Sequence, residues 1–255
     1  MKVLLATIYN LYYEYCLKQW LDYASGEHDK SGVDSLIVLD NVSRGLRNDF
    51  EELHGLNNWI NVGDVGTIPN PDPTKPNFDA IVASRNFAFD FATNGEYDKL
   101  LFVDVDTNPN PGAANEMLTY FESKRYNPDG KVAMVGGNYH YKNQMLENSK
   151  GRSVVPVGDF PVKTVRNLGN QITRKGYTDK VRGLGFGFTM LDRQIFSNPA
   201  YRLNTDFLQP DSKFGTEDYP ICERVRRDGY RLIWVQNIRA KHLFFNKKLN
   251  RLERW

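Results

Sequence analysis

At 255 residues the chain is long enough to bury a substantial core, as one large α/β domain or two small ones. Its 33 basic and 31 acidic residues leave a formal charge of +2, so no global field demands a nucleic-acid or membrane partner. The two cysteines, Cys16 and Cys222, fall in predicted helices without metal-ligand spacing, which argues against a disulfide framework and for inert thiols in a reducing compartment.

Residues 1 to 8 are apolar, but too few for a signal peptide and without a small-residue cleavage site, so they read as a first strand, from Lys2 to Thr7. No stretch reaches the length of a membrane span. A cytoplasmic setting is therefore expected, in which the sequon Asn41-Val42-Ser43 carries no glycan. An aromatic-rich helix is expected over residues 11 to 23, a second strand over 35 to 40 with Asp40 at its exit, and a weak third over 59 to 62. Four prolines make residues 63 to 77 a long loop. The spacing of Phe78, Ile81, Val82, Arg85, Phe89 and Ala92 predicts a helix over 77 to 93. A fourth strand at 100 to 103, a helix over 113 to 124 and a fifth strand over 131 to 136 follow. Strands alternating with helices at this spacing argue for βαβ units and a mainly parallel sheet.

The second half changes character. Residues 140 to 159 read as irregular. Residues 163 to 182 carry six basic residues against one acid, Asp179, either a solvated face or an acceptor-side patch for phosphate, a membrane surface or DNA. Arg224, Arg226, Arg227 and Arg231 add to that basic character. Over 183 to 191 glycines alternate with bulky apolar residues, which in a strand leaves one face bare for a ligand or another backbone. Without a Gly-Lys-Ser/Thr ending it is not a phosphate loop. Thr216-Glu217-Asp218 opens a helix with Pro220 in its first turn, ending at Asp228-Gly229. Strands are expected over 231 to 236 and over 238 to 243, the latter holding His242. Residues 244 to 255 form a basic, aromatic tail.

The candidate chemistry centres on Leu100 to Gly112. An apolar run ends in Asp104 and Asp106 and then breaks into Asn, Pro and Gly, as a buried strand does when it delivers acid to its carboxyl end. Open α/β sheets bind ligands at that end. Aspartates two apart on an extended chain share a face, so both can approach one hard cation with room for phosphate oxygens. A calcium loop fits Asp104, Asp106 and Asn108, then fails, because position six is Pro109 instead of Gly and position twelve is Asn115 instead of Glu.

Taken in order, the strand ending at Asp40, Ser84-Arg85-Asn86, Asp104-Val105-Asp106, the glycine-rich stretch, Glu217-Asp218, Arg227-Asp-Gly-Tyr230 and His242 resemble a GT-A glycosyltransferase. The closest pattern is the family-2-like group of nucleotide-sugar transferases. Residues 215 to 242 also resemble a class of fungal mannosyltransferases. The resemblance implies an α/β fold: a single GT-A domain over residues 1 to 243, with a mainly parallel Rossmann-like sheet flanked by helices and a smaller antiparallel portion. It divides the domain into a nucleotide-binding half, 1 to 112, and an acceptor half, 113 to 243, with 244 to 255 as the tail. It also implies Asp104, Asp106 and His242 around Mn²⁺ or Mg²⁺, with Val105 between the two acids. Thr7, Tyr9 and Asp40 would form the nucleoside pocket, Arg85 and Asn86 would flank the diphosphate, and Asp218 would be the catalytic base with Glu217 as its rival.

The resemblance implies hexosyl transfer from a nucleotide diphosphate, uridine before guanosine, to a hydroxyl acceptor. A divalent cation stabilises charge on the leaving diphosphate, and a carboxylate takes the acceptor's proton. The acceptor class stays open among glycan, lipid-linked sugar, protein and modified DNA base. Each residue also has a plainer reading: Asp218 as a helix cap, Asp40 as a turn residue, His242 as a core histidine, and Arg85 in a buried ion pair. Family-2 helices often continue the acidic pair with further acids, whereas Tyr219-Pro220-Ile221-Cys222 follows here. The mannosyltransferase-like pattern retains configuration where the family-2 pattern inverts it, and inversion is the preferred expectation. A nucleotidyltransferase shares the sheet but opens with a Gly-rich basic loop that residues 6 to 10 lack. A non-catalytic sugar or nucleotide-binding module is the further alternative.

Overall fold

The computed structural model describes residues 1–10, 14–70, 77–138, 177–179, 181, 183–205, 217–246 and 251–254, with backbone alone at 242, 244–246 and 251–254. The first half alternates β1 (Val3–Tyr9), α1 (Glu14–Ser31), β2 (Asp34–Leu39), α2 (Arg44–Leu56), β3 (Ile60–Asp64), α3 (Phe78–Asn94) and β4 (Lys99–Val103). Then come β5 (Thr107–Pro109), α4 (Ala113–Glu122), β6 (Val132–Asn138), β7 (Tyr177–Thr178), β8 (Phe188–Asp192) and the short α5 (Arg193–Phe196). A 3₁₀ turn (Pro199–Tyr201), α6 (Asp218–Arg227), β9 (Arg231–Asn246) and β10 (Arg251–Arg254) complete the chain.

One sheet runs in the order β10-β9-β6-β8-β4-β1-β2-β3, with β5 and β7 both paired to β9. β3, β2, β1 and β4 are mutually parallel, β8 is antiparallel to both β4 and β6, and β9 is parallel to β6. This is the expected α/β architecture, parallel on the first half and mixed on the second. Both faces of the parallel part are covered, which explains the apolar run of Leu100 to Val103 in β4; Lys99, which opens the strand, is buried too and pairs with Asp192 at 2.6 Å. One face packs Leu4, Ala6 and Leu100 under α3 (Ala88, Phe89), α5 and α6. The other packs Leu5, Leu101 and Val103 under α1 (Cys16, Trp20) and α4 (Met117). Trp20 Nε1 donates to the Val103 carbonyl at 3.0 Å, pinning α1 to the last residue of β4.

Several expected boundaries move. Helix α1 runs eight residues past Tyr23, and its buried Glu27 accepts from the Gly112 N–H at 2.5 Å, so α1 caps the start of α4. Helix α2 was not anticipated at all. Ser43 Oγ accepts from the Leu46 N–H at 3.3 Å as its N-cap, and Phe50 is the residue it buries. Glycine alternation over 183 to 187 does not make a strand, since β8 begins only at Phe188. The two strands expected between 231 and 243 are one, and β9 continues to Asn246, where β10 pairs back on it. The expected tail from 244 is thus continuous with the sheet edge. The irregular stretch of 140 to 159 and most of the basic run of 163 to 182 lie outside the described residues. Among the described residues no helix is long and apolar enough to cross a membrane.

Candidate functional site

The carboxyl ends of β1, β2 and β4 gather most of the sequence-predicted residues. Asp40 follows β2, its N–H donating to the Tyr9 carbonyl at 2.9 Å. Its side chain is buried at 6% exposure. Burial holds the carboxyl above the usual carboxylate range, and a hydrogen bond from Asn10 opposes that shift. Asp40 Oδ1 has no hydrogen-bond partner among the described residues. An orphaned buried acceptor at a strand exit is what a ligand N–H would complete. Thr7 and Tyr9 are 1% and 0% exposed; Tyr9, the last residue of β1, packs edge-on against Phe50 of α2 at 5.0 Å, and Thr7 Oγ1 and Tyr9 OH, like Asp40 Oδ1, have no hydrogen-bond partner among the described residues.

The Asp104–Asp106 stretch corrects one premise. It is not extended: β4 ends at Val103, and the Thr107 N–H returns to the Asp104 carbonyl at 2.8 Å, closing a turn. The two acids are held by that turn and not by a shared strand face. Val105, buried at 2%, anchors the turn in the core. The Asp104 N–H donates to the Gly187 carbonyl at 3.0 Å, and the Leu243 N–H donates to the Asp106 carbonyl at 2.6 Å. β5 and β9 pair with Thr107 opposite His242, so the His242 backbone lies beside the turn while its imidazole is outside the described atoms. Cys16 faces this region from α1; burial first, and the Asp106 charge second, push its thiol up to about 12, which keeps it protonated and inert.

The acidic pair before α6 reaches the same place from the other half. Glu217 and Asp218 are buried at 5% and 6% exposure. Asp218 is the first residue of α6, and its Oδ2 accepts from the Phe186 N–H at 3.0 Å. Its carboxylate therefore faces the 183–187 loop, and no side-chain cap bond forms at this helix start. Arg85 Nη1 lies 3.1 Å from Glu217 Oε1, and Nη2 lies 3.5 Å from Asp104 Oδ1, which is the buried ion pair that the sequence left open. Asn86 turns elsewhere: its amide donates to the Leu203 carbonyl at 2.9 Å and accepts from the Leu203 N–H at 3.0 Å. Phe186, Phe102 and Leu203 carried no legible signal, because their roles depend on a neighbouring loop and not on residue type. Part of the basic second half is spent internally, with Arg224 bonded to the Arg202 carbonyl at 2.7 Å and Arg231 paired with Asp129 at 2.7 Å.

The donor set fits a hard divalent cation. Asp104 is 41% exposed at its side chain and Asp106 half-buried, two oxygen donors from one turn. Among the described residues no three His, Cys, Asp or Glu side chains converge. Two carboxylates completed by phosphate oxygens and water are how Mg²⁺ is usually held beside a phosphorylated substrate.

A scan against protein-family models and a search of curated proteins give no match. Solved structures do match. A mannosyltransferase, PcManGT from Pyrobaculum calidifontis, in complex with GDP-Man and Mn²⁺, is similar at a TM-score of 0.56 and 12% identity, over 94% of this chain and 56% of that one. TarS 1-349 from S. aureus is similar at a TM-score of 0.59 and 14% identity, over 94% of this chain and 59% of that one. The same protein in complex with UDP-GlcNAc gives a TM-score of 0.55 and 13% identity, over 94% and 57%. The chain spans between half and two thirds of the length of these neighbours. It shares the fold of these structures, the GT-A fold expected from the sequence.

Proposed function

We propose that the protein is a glycosyltransferase moving a hexosyl group from a nucleoside diphosphate sugar to a hydroxyl acceptor, with inversion. The observation that carries this is the meeting of the Asp104–Asp106 turn and the Glu217–Asp218 pair across Arg85, on the GT-A fold. Asp104, Asp106 and His242 are the residues that would hold Mn²⁺ or Mg²⁺, which supplies Lewis-acid neutralisation of the leaving diphosphate. Asp40 offers its unpartnered oxygen to a base or ribose donor group at the exit of β2. Asp218 is the base: it stands at the first turn of α6, and the Phe186 N–H fixes the direction of the carboxylate while it takes the acceptor's proton. The donor base is uridine by family resemblance, and the fold neighbours include complexes with both UDP and GDP sugars.

Nucleotide release from a panel of UDP- and GDP-linked sugars with Mn²⁺, with and without EDTA, tests the reading. Turnover of at least one donor, lost with the chelator, is expected. Donor binding without turnover would instead mark a binding module, and no binding at all would overturn the reading.

A further inference from the structure

We infer that Arg85 is a positioning residue that sets the donor-side and acceptor-side carboxylates together, an inference that rests on the glycosyl-transfer reading above. Its side chain is 6% exposed, and its two terminal nitrogens lie within ion-pair distance of Glu217 and Asp104, at 3.1 and 3.5 Å, with Nη1 close to Glu217 as a charge contact and not as an aligned hydrogen bond. Two rings hold its plane: the guanidinium carbon is 5.5 Å from the centroid of Phe102 and 5.2 Å from that of Phe186. Those rings are themselves stacked, 5.6 Å apart and 9° from parallel. The four contacts come from four places: β4, its exit turn, the 183–187 loop and the residue before α6. One side chain of α3 thus ties both halves of the site.

Arginine suits this task as lysine does not. Its planar fork can address two carboxylates in different directions while stacking on aromatic faces, and its weak hydration tolerates burial. The two acids balance the charge that burial would otherwise leave uncompensated. A side chain this buried, with both terminal nitrogens within ion-pair distance of protein carboxylates, is poorly placed to grip a diphosphate. Its influence passes along the chain instead. Asp104 lies in one turn with Asp106, and Glu217 directly precedes Asp218, so a shift at Arg85 moves both groups. Glu217 becomes a positioning residue as well, and no longer rivals Asp218 as base.

The test uses the whole protein with Arg85→Lys, Glu217→Gln and the double variant, read as kcat, donor KM, Tm, and the affinity for nucleoside diphosphate with Mn²⁺. Misplacement of a reacting group by about 1 Å costs on the order of 10²-fold in kcat, and a loss of that size is expected for each single variant. Glu217→Gln should leave nucleotide affinity within about twofold, because its effect falls on the acceptor side alone, whereas Arg85→Lys should weaken it severalfold through Asp104. The double variant should be no worse than the worse single, since the pair acts as a unit. Single variants that keep wild-type kcat, even with a lowered Tm, overturn the inference, and so do losses that simply add. If Arg85→Lys does not fold, the kcat and affinity of Glu217→Gln decide alone. A wild-type protein that neither binds nor turns over any donor would sink the glycosyl-transfer reading and this inference together; an active wild type with indifferent variants would sink the inference only.

Discussion

Asp40, at the exit of β2, and Glu217, before α6, are almost equally buried, at 6% and 5% exposure. Glu217 meets the Arg85 guanidinium at 3.1 Å, whereas Asp40 has the Asn10 hydrogen bond and one oxygen with no hydrogen-bond partner among the described residues. A buried acceptor without a partner costs about 1–3 kcal/mol, and a fold keeps such a cost where something else repays it. The contrast separates two kinds of acid in one site. The balanced one belongs to the scaffold, and the unbalanced one is the acid that the proposed donor would complete.

Asp218→Asn should break the acceptor side most severely. It keeps the shape and an acceptor for the Phe186 N–H but removes the proposed base, so transfer should fall roughly 10²–10⁴-fold while nucleotide affinity stays near wild type. A variant that still transfers at near wild-type rate would move the base elsewhere. Asp106→Asn should come next. Losing one carboxylate from the turn weakens cation binding and stabilisation of the leaving diphosphate together, worth about 3–4 kcal/mol, or on the order of 10²–10³-fold in kcat/KM. Raising Mn²⁺ should recover part of that loss, and no recovery at any Mn²⁺ concentration would detach Asp106 from the cation.

Asp40→Asn sharpens the contrast on the donor side. If the unpartnered oxygen takes a ligand N–H, its loss should weaken nucleotide binding by roughly 1.5–3 kcal/mol, about 10- to 150-fold, measured by titration calorimetry. Stability should move the other way. Burial raises the Asp40 carboxyl, so the native state binds a proton more readily than the unfolded chain. Its cost to stability is therefore absent below the ordinary carboxylate range and grows as pH rises toward the raised value. The asparagine variant should be the more stable protein at neutral pH, with the gap closing on acidification. Urea unfolding across pH measures it, and a gap that widens in acid would show the burial effect to be misassigned.

The difference between the two acids was only half legible in the sequence. Apolar runs ending in Asp40 and Asp104 marked the strand exits, because a parallel sheet covered on both faces leaves its carboxylates at the strand ends. The ion pair of Arg85 was visible as an alternative, since a charged residue sat on the apolar face of a helical pattern. Its partners were not, as Glu217 lies 132 positions further on and only the sheet order brings it close. Helix α2 was missed although Leu46, Phe50 and Leu53 follow helical spacing behind Ser43; Gly45 and Gly55 and a single fully buried residue weakened the pattern. The glycines of 183 to 187 suggested a strand by alternation, but Gly187 and Phe186 spend backbone groups on Asp104 and Asp218, and a loop meets those better than a ladder.

Asn86 gives the smallest effect and tests whether scaffold and ligand roles have been divided correctly next to Arg85. Its amide satisfies both backbone groups of Leu203, and the neighbouring Arg202 donates to the Asn86 carbonyl at 3.1 Å, so α3 holds Arg202 and Leu203 just after the 3₁₀ turn. Leu203 and Tyr201 are both buried, at 4% and 3% exposure, and depend on that hold. Asn86→Ala leaves a donor and an acceptor unsatisfied and should cost about 2 kcal/mol, on the order of 5 °C in Tm. A diphosphate contact would show differently, as a rise in donor KM with Tm nearly unchanged. The anchor role predicts the reverse, with Tm lowered and donor KM within about twofold of wild type, because a group that binds backbone makes no separate contribution to the donor.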